Sequence, residues 1–268
     1  MNGEQGAADD GSEGSGPPWS ISDAVSWLLF AIAGFAVGQV LGYVILVVVA
    51  TLNGHTADYA RLAAQAVPPA WVVVSELVGL WIGFLGAIAA AVTFRGTGSV
   101  VNDLGLRFSW WDLLIGPVVG FVGQVVLIPI LYLPLYHLNP HIQHELSQPA
   151  QRLTGGFHGG NLFIIGFLTV VVVPLIEEML FRGVLLRSFL RLFRSAGRFL
   201  GPAFAIILTG VLFGLAHFEP VQLLGLCAFG VVLSWLAYKL RRLGAGILAH
   251  ATFNLIAVLA IASSSAVH

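Results

Sequence analysis

Seven apolar stretches, each about long enough to cross a membrane, constrain this chain more than any other feature of its sequence. A helix needs about 20 mostly apolar residues to cross the hydrocarbon core of a bilayer. Because a backbone in lipid must satisfy its own hydrogen bonds, the sequence predicts an all-α, polytopic transmembrane bundle of about seven spans, within a range of six to eight. The stretches cover residues 24–50, 70–94, 111–136, 161–186, 199–217, 221–239 and 244–262.

The composition supports a membrane location and divides the chain into two regions. Hydrophobic residues make up 57% of the chain and charged residues 9%, whereas a soluble domain carries about 25% charged residues. Residues 1–18 are rich in Gly, Ser and acidic residues, and such a segment is predicted to be a disordered acidic tail. Residues 19–268 form the transmembrane domain. The chain has no basic stripe with interleaved aromatics, so no nucleic acid is expected as a partner.

The basic residues predict the orientation of the chain in the cell membrane. Lys and Arg concentrate at 95–107, 187–198 and 239–242, in alternate loops between the predicted spans. Because cytoplasmic loops carry an excess of Lys and Arg, these loops are expected in the cytoplasm together with the N-terminus. The basic run at 187–198 is expected to lie on anionic membrane lipids.

The fourth span contains two adjacent carboxylates, in the segment VVVPLIEEMLFRG. A charged side chain at the bilayer centre costs at least ~2.5–3.5 kcal/mol, so Glu177 and Glu178 need an explanation. Glu178 and Arg182 are four residues apart and are predicted to form an ion pair on one helix face. Glu177 is rotated by about 100° around the helix axis from Glu178, so it should find its partner on another helix. Pro174 removes a backbone donor one turn earlier and should loosen this helix.

Two later spans each present polar side chains on a single turn. The fifth span ends with Phe213-Gly-Leu-Ala-His217, and the seventh contains His250-Ala-Thr-Phe-Asn254. Buried polar groups in lipid must find partners. His217, His250 and Asn254 are therefore predicted to meet the two carboxylates of the fourth span in one compact intramembrane polar chamber.

This set of side chains suits hydrolysis, although other functions remain open. A Glu can take a proton from water, a His can orient it, and Asn with His can stabilise an oxyanion. Glu177, His217 and His250 also match, by residue type, the ligand set of a hydrolytic zinc site, but the chain has no HExxH motif. The alternatives are a proton- or ion-coupled transporter and a non-catalytic immunity or scaffold protein.

Three motifs together resemble the CPBP family of intramembrane proteases. They are EExxxR at 177–182, FxxxH at 213–217 and HxxxN at 250–254, and they lie within a predicted protease motif region at 160–262. The CPBP (Abi) family includes type II CAAX prenyl endopeptidases and bacterial proteins linked to bacteriocin processing and self-immunity. The resemblance implies an endopeptidase that cleaves a CAAX-type C-terminal tail or a bacteriocin-like peptide, lipidated or plain.

The resemblance also implies roles for individual residues. Glu177 would activate the attacking water together with His217, and His250 with Asn254 would stabilise the oxyanion. Arg182 would hold Glu178 and the local geometry. The family is usually described as metalloproteases, and a metal-free glutamate mechanism has also been argued. We prefer Glu177 as the general base; one divalent ion such as zinc, bound by Glu177, His217 and His250, is the open alternative.

The depths of the motifs in the membrane do not agree when they are counted along straight helices. At ~1.5 Å per residue, His250 lies shallow, His217 lies deep and Glu177 lies between them. Either the fifth span starts later in the chain, or it is tilted or broken near Gly210 and Gly214.

Overall fold

The computed structural model describes residues 21–139, 141–154 and 159–265, and helices are the regular secondary structure within these ranges. The predicted acidic tail at 1–18 lies outside the described residues. We number the helices α1 (Ile21–Leu52), α2 (Tyr59–Ala63), α3 (Ala70–Phe94), α4 (Val100–Leu104), α5 (Asp112–Leu138), α6 (Ile142–Thr154), α7 (Gly159–Leu192), α8 (Gly197–Leu215), α9 (Leu223–Leu240) and α10 (Gly244–Ser265).

Seven of the described helices are long and apolar enough to cross a membrane: α1, α3, α5, α7, α8, α9 and α10. This confirms the predicted all-α, multi-pass architecture. Large apolar side chains such as Leu29, Val40 and Phe163 are more than half exposed, because the outer surface of such a bundle faces lipid rather than water. The buried core is formed mainly by the second half of α7 together with α1, α3 and α8.

Helices α1 and α3 pack together through glycines. A Cβ atom built on Gly83 would lie 1.9 Å from the backbone oxygen of Gly34, and one built on Gly79 would lie 2.1 Å from the backbone nitrogen of Gly42. The two backbones therefore touch at positions where only glycine fits. In a membrane, where lipid tails compete with apolar side chains, such close backbone contact is a main source of helix association.

Glycines bring α8 and α9 equally close, which corrects one expectation. Helix α8 runs from Gly197 to Leu215 without a break at either Gly210 or Gly214. A Cβ atom on Gly210 would lie 2.5 Å from the Val231 side chain, and one on Gly214 would lie 2.4 Å from Cys227 Sγ. The two glycines therefore serve close packing rather than a break, and His217 lies just beyond the end of the helix.

Helix α7 is not a regular α-helix, because two π turns interrupt it. They span Leu168–Val172 and Met179–Leu185, on either side of the α-helical segment Val173–Glu178. The amide of Val173 donates to the carbonyl of Leu168, five residues earlier. The next amide in this pattern would come from Pro174, which has none. The predicted loosening near Pro174 therefore takes the form of a π turn that leaves the Thr169 carbonyl without its helical donor.

The start of α10 is fixed by the loop between α4 and α5. Leu243 and Gly244 donate their amides to the carbonyls of Gly105 and Arg107. Asp112, fully buried at the start of α5, accepts three hydrogen bonds from Arg242 of 2.7–3.0 Å. These hydrogen bonds raise the pKa of Arg242 above its already high ordinary value. These contacts fix the start of α10, and thereby the position of His250 and Asn254 further along that helix.

Candidate active site

The carboxylate of Glu178 and the guanidinium of Arg182 form the buried ion pair that their spacing predicts. Glu178 Oε1 lies 2.6 Å from Arg182 Nη1, and both side chains are inaccessible to solvent. Arg182 also donates from Nη2 to the Gly230 carbonyl on α9, at 3.0 Å, and lies over the Phe213 ring at 4.5 Å. Since each charge of the pair faces the other, Glu178 is an ionised acceptor and a poor candidate for a base.

His250 connects the two carboxylates. Its Nδ1 lies 3.2 Å from Glu178 Oε1, and its Nε2 lies 3.8 Å from Glu177 Oε2. Because an ionised carboxylate can only accept, Nδ1 carries a proton and donates it to Glu178. This bond orients the ring so that Nε2 is the nitrogen that faces Glu177.

Glu177 finds its basic partner on another helix, as its position on the α7 surface predicts. Its side chain is 13% exposed, and Oε2 is closed to solvent with no hydrogen-bond partner in the described part of the chain. The 3.8 Å separation from His250 Nε2 exceeds a direct hydrogen bond. Glu177 therefore lies close to a basic side chain without a short contact to it, unlike Glu178.

His217 lies in the turn after α8, and the Phe213 ring contacts both His217 and His250. Its Nδ1 is 2.8 Å from the Phe213 carbonyl, which can only accept, so Nδ1 donates and the neutral ring has its lone pair on Nε2. The Phe213 ring packs against His217 at 4.7 Å and against His250 at 5.5 Å between ring centroids. One phenyl ring thus contacts both imidazoles, although counting along straight helices places the two histidines at different depths.

Asn254 meets α7 at the carbonyl that the π turn leaves free. Its Nδ2 donates to the Thr169 carbonyl at 2.9 Å, which is the acceptor that Pro174 cannot satisfy. One hydrogen of the Asn254 amide is therefore committed to the backbone of α7 and the second remains available. Sequence reasoning missed Thr169, and the available signal was a hydroxyl two turns before the acid pair, with no other hydroxyl in the predicted span 161–186.

The structure brings the six predicted site residues onto two helices, α7 and α10, and the turn after α8, but it does not join all of them. Glu177, Glu178, Arg182 and His250 form one connected group. Within the described ranges, no hydrogen bond or ion pair links His217 to Glu177. Gly246 leaves room for the carboxylate of Glu178, since a Cβ atom there would lie 3.0 Å from Oε2.

The three possible metal ligands, Glu177, His217 and His250, are not gathered around a common point. Among residues 21–139, 141–154 and 159–265, no group of three or more His, Cys, Asp or Glu side chains has a geometry that could hold a metal ion. His250 directs Nε2 at Glu177, whereas Phe213 lies between the rings of His250 and His217. The donor set therefore does not fit a metal ion in this arrangement.

The segment that builds this arrangement also matches a known family of sequences. Residues 159–256 match the family model described as type II CAAX prenyl endopeptidase, Rce1-like. This stretch is similar to the Rce1-like family. It includes all six site residues together with Thr169, and it confirms the resemblance drawn from the three motifs. No curated protein sequence and no solved structure matches the chain.

The Rce1-like match and the seven apolar helices together give the class of the protein. The Rce1-like family is a family of proteases, so the match supports a protease at the level of the family. The helices make the chain a multi-pass membrane protein. The match begins with α7 and ends within α10, so helices α1 to α6 lie outside it.

Proposed function

We propose that this protein is an intramembrane endopeptidase in which Glu177 activates the water that attacks a peptide bond. The observation that carries the proposal is the contrast between two neighbouring carboxylates in one buried site. Glu178 is neutralised by Arg182 at 2.6 Å, whereas Glu177 keeps a solvent-closed oxygen without a hydrogen-bond partner, 3.8 Å from His250. A base must be free to accept a proton, and Glu177 is the carboxylate that is free.

Charge balance in the chamber supports this assignment. Arg182 and Glu178 cancel, so the low-dielectric site is neutral when one proton is shared between Glu177 and His250. In the form with ionised Glu177 and protonated His250, a base and a hydrogen-bond donor lie side by side. Glu178 stabilises that imidazolium through Nδ1.

In the proposed reaction, Glu177 carries one proton from the attacking water to the leaving amine. Water loses a proton to Glu177 while its oxygen forms a bond to the carbonyl carbon, and His217 orients the water through its unprotonated Nε2. The oxyanion accepts hydrogen bonds from His250 Nε2–H and from the second hydrogen of the Asn254 amide. When the carbon–nitrogen bond breaks, Glu177 returns the proton to the leaving amine.

We propose as substrate a CAAX-type C-terminal tail or a bacteriocin-like peptide, lipidated or plain, that reaches the site from the membrane. The family description supports a C-terminal tail. The basic loops at 95–107, 187–198 and 239–242 support an orientation with the N-terminus in the cytoplasm of the cell, in contact with anionic lipids.

Cleavage of a fluorogenic peptide library by the detergent-purified protein tests the proposal. The library should include prenylated and plain peptides, and the variants should include Glu177→Ala and His217→Ala. Glu76→Ala and His55→Ala are matched controls, because these side chains pair with Arg152 and Asp58 away from the chamber. We expect turnover by the wild type and both controls, and loss of at least about 100-fold in the two site variants.

Two further results would decide against this mechanism. Loss of turnover in chelator, with recovery on adding back a divalent metal, would replace the glutamate mechanism with a metal-dependent one. A proton leak in liposomes that Glu177→Ala abolishes, in a protein that cleaves no peptide, would instead support the transporter alternative.

A further inference from the structure

The buried hydroxyl of Thr169 differs from the other buried hydroxyls of the protein. Ser75, Ser188, Thr209 and Ser234 are all buried, and each donates to the carbonyl four residues earlier, at 2.7–2.9 Å. This local bond is the usual way to satisfy a hydroxyl inside a membrane helix. Thr169 is 8% exposed, and its Oγ1 has no hydrogen-bond partner in the described ranges.

Thr169 lies beside the catalytic side chains but not among them. Asn254, one turn along α10 from His250, binds the Thr169 carbonyl at 2.9 Å. In the proposed mechanism the second hydrogen of the same amide group binds the oxyanion, and two acceptors of one amide group lie about 5 Å apart. The Thr169 backbone is therefore about 5 Å from the attacked carbonyl oxygen, which corresponds to one or two residues of an extended peptide, at about 3.4 Å each.

A peptide bound in an intramembrane chamber needs hydrogen-bond partners for its backbone. Backbone amides and carbonyls taken out of water must find partners inside the protein. A hydroxyl can donate to a carbonyl and accept from an amide. Asn254 fixes the position of the Thr169 backbone, so the free hydroxyl is held in place by the residue that the proposed mechanism uses for the oxyanion.

We propose that the Thr169 hydroxyl is a substrate-binding group that hydrogen-bonds the peptide backbone within about two residues of the scissile bond. This inference rests on the proposed endopeptidase function. It makes Thr169 a determinant of KM, and it gives Thr169 no part in the bond-breaking step.

The test compares Thr169→Val, Thr169→Ser and the control Thr209→Val in the purified full-length protein. Valine keeps the shape of threonine but removes the hydroxyl. With the best peptide from the library, we expect Thr169→Val to raise KM roughly 3- to 10-fold, the worth of one hydrogen bond, with kcat within about twofold. Thr169→Ser and Thr209→Val should keep the wild-type KM.

Changes to the peptide backbone supply a second test of the same group. Peptides whose amides within about two residues of the scissile bond are replaced by esters, with the scissile amide kept, should lose the contact. Wild type and Thr169→Val should bind these peptides with equal KM. An unchanged KM for Thr169→Val on the unmodified peptide would overturn the proposal. A fall in kcat with no change in KM would also overturn it.

Unfolding temperature provides a readout that does not depend on turnover. If the hydroxyl has no partner in the resting protein, Thr169→Val should raise the unfolding midpoint, by about 3 °C, and Thr209→Val should leave it nearly unchanged. A lower midpoint for Thr169→Val would show a structural partner and overturn the inference. A wild type that cleaves no peptide would contradict the proposed function, while a raised midpoint for Thr169→Val would still support an unpaired hydroxyl.

Discussion

The helix pair α1–α3 and the helix pair α7–α10 associate within the membrane through different kinds of contact. Helices α1 and α3 are held by direct backbone contact at glycines such as Gly34 and Gly83. Helices α7 and α10 meet through polar side chains, with His250 between two carboxylates and Asn254 on a backbone carbonyl. Helix α7 also contains two π turns, whereas α1 and α3 are regular α-helices.

The carboxylates of the two regions show what this difference means. Glu76 on α3 is about half exposed and lies 3.8 Å from Arg152 near the surface, where such a pair contributes little. Glu177 and Glu178 on α7 are closed off, and unpaired buried atoms accumulate there: Thr169 Oγ1, Glu177 Oε2, Glu178 Oε2 and Arg182 Nε. A polar group left without a partner is costly in this environment. The α1–α3 contact uses glycine backbones and needs no buried polar side chain, whereas α7 keeps these unpaired polar atoms beside the proposed base.

The largest effect on stability should come from breaking the buried ion pair. Arg182→Met leaves the Glu178 carboxylate unpaired and should lower the free energy of unfolding by about 3–5 kcal/mol. Unfolding in detergent by heat or denaturant measures the change. The matched control is Arg61→Met, whose exposed pair with Asp58 should contribute at most about 1 kcal/mol.

The double variant Glu178→Gln with Arg182→Met sharpens this result. Because it removes both charges, it should recover much of the stability lost in the single variant. An Arg182→Met protein as stable as the wild type would mean that Glu178 is already neutral, and it would remove the distinction between the two carboxylates.

A smaller effect is expected from overpacking the glycine contact. Gly83→Ala places a methyl group 1.9 Å from the Gly34 oxygen and should cost about 1–3 kcal/mol of stability. The kcat of the folded fraction should remain that of the wild type, because the chamber is not involved. Gly86→Ala on the same helix meets nothing within 4 Å and serves as the control. Equal stability of the two variants would contradict direct backbone contact between α1 and α3.

The smallest effect concerns the bond between Asn254 and the Thr169 carbonyl. Asn254→Ala should cost about 0.6–1.7 kcal/mol, the range for hydrogen bonds between membrane helices. In a Pro174→Ala background the chain regains an amide near that carbonyl, so the same substitution should cost less. A double-mutant cycle measures the coupling. Equal costs in both backgrounds would show that Pro174 does not create the need for Asn254.

Patterns along single helices were enough to predict much of this molecule. Hydropathy located the seven spans, and the four-residue spacing identified the pair of Glu178 and Arg182. The same helical geometry left Glu177 to seek a partner on another helix, which is His250. These features depend on length, periodicity and the cost of charge in lipid, all of which a sequence contains.

The remaining features depend on the register between helices. The first π turn of α7 lies where Pro174 lacks an amide, and it leaves the Thr169 carbonyl free for Asn254. Phe213 packs against the imidazoles of both His217 and His250, which counting along straight helices placed at different depths. Of the alternatives for the fifth span, a later start and a break were both wrong, because α8 runs unbroken from Gly197 and its glycines pack closely against α9.

A comparison of Glu177→Gln with Glu76→Gln, in turnover and in unfolding temperature, tests most directly whether Glu177 is the base. Both variants remove one carboxylate from a membrane span and preserve its shape. We expect Glu177→Gln to lower kcat by about 10²–10⁴-fold while unfolding within about 2 °C of the wild type, and we expect Glu76→Gln to cleave normally. Near-normal turnover by Glu177→Gln, or a loss of turnover explained by unfolding, would contradict the assignment of Glu177 as the base.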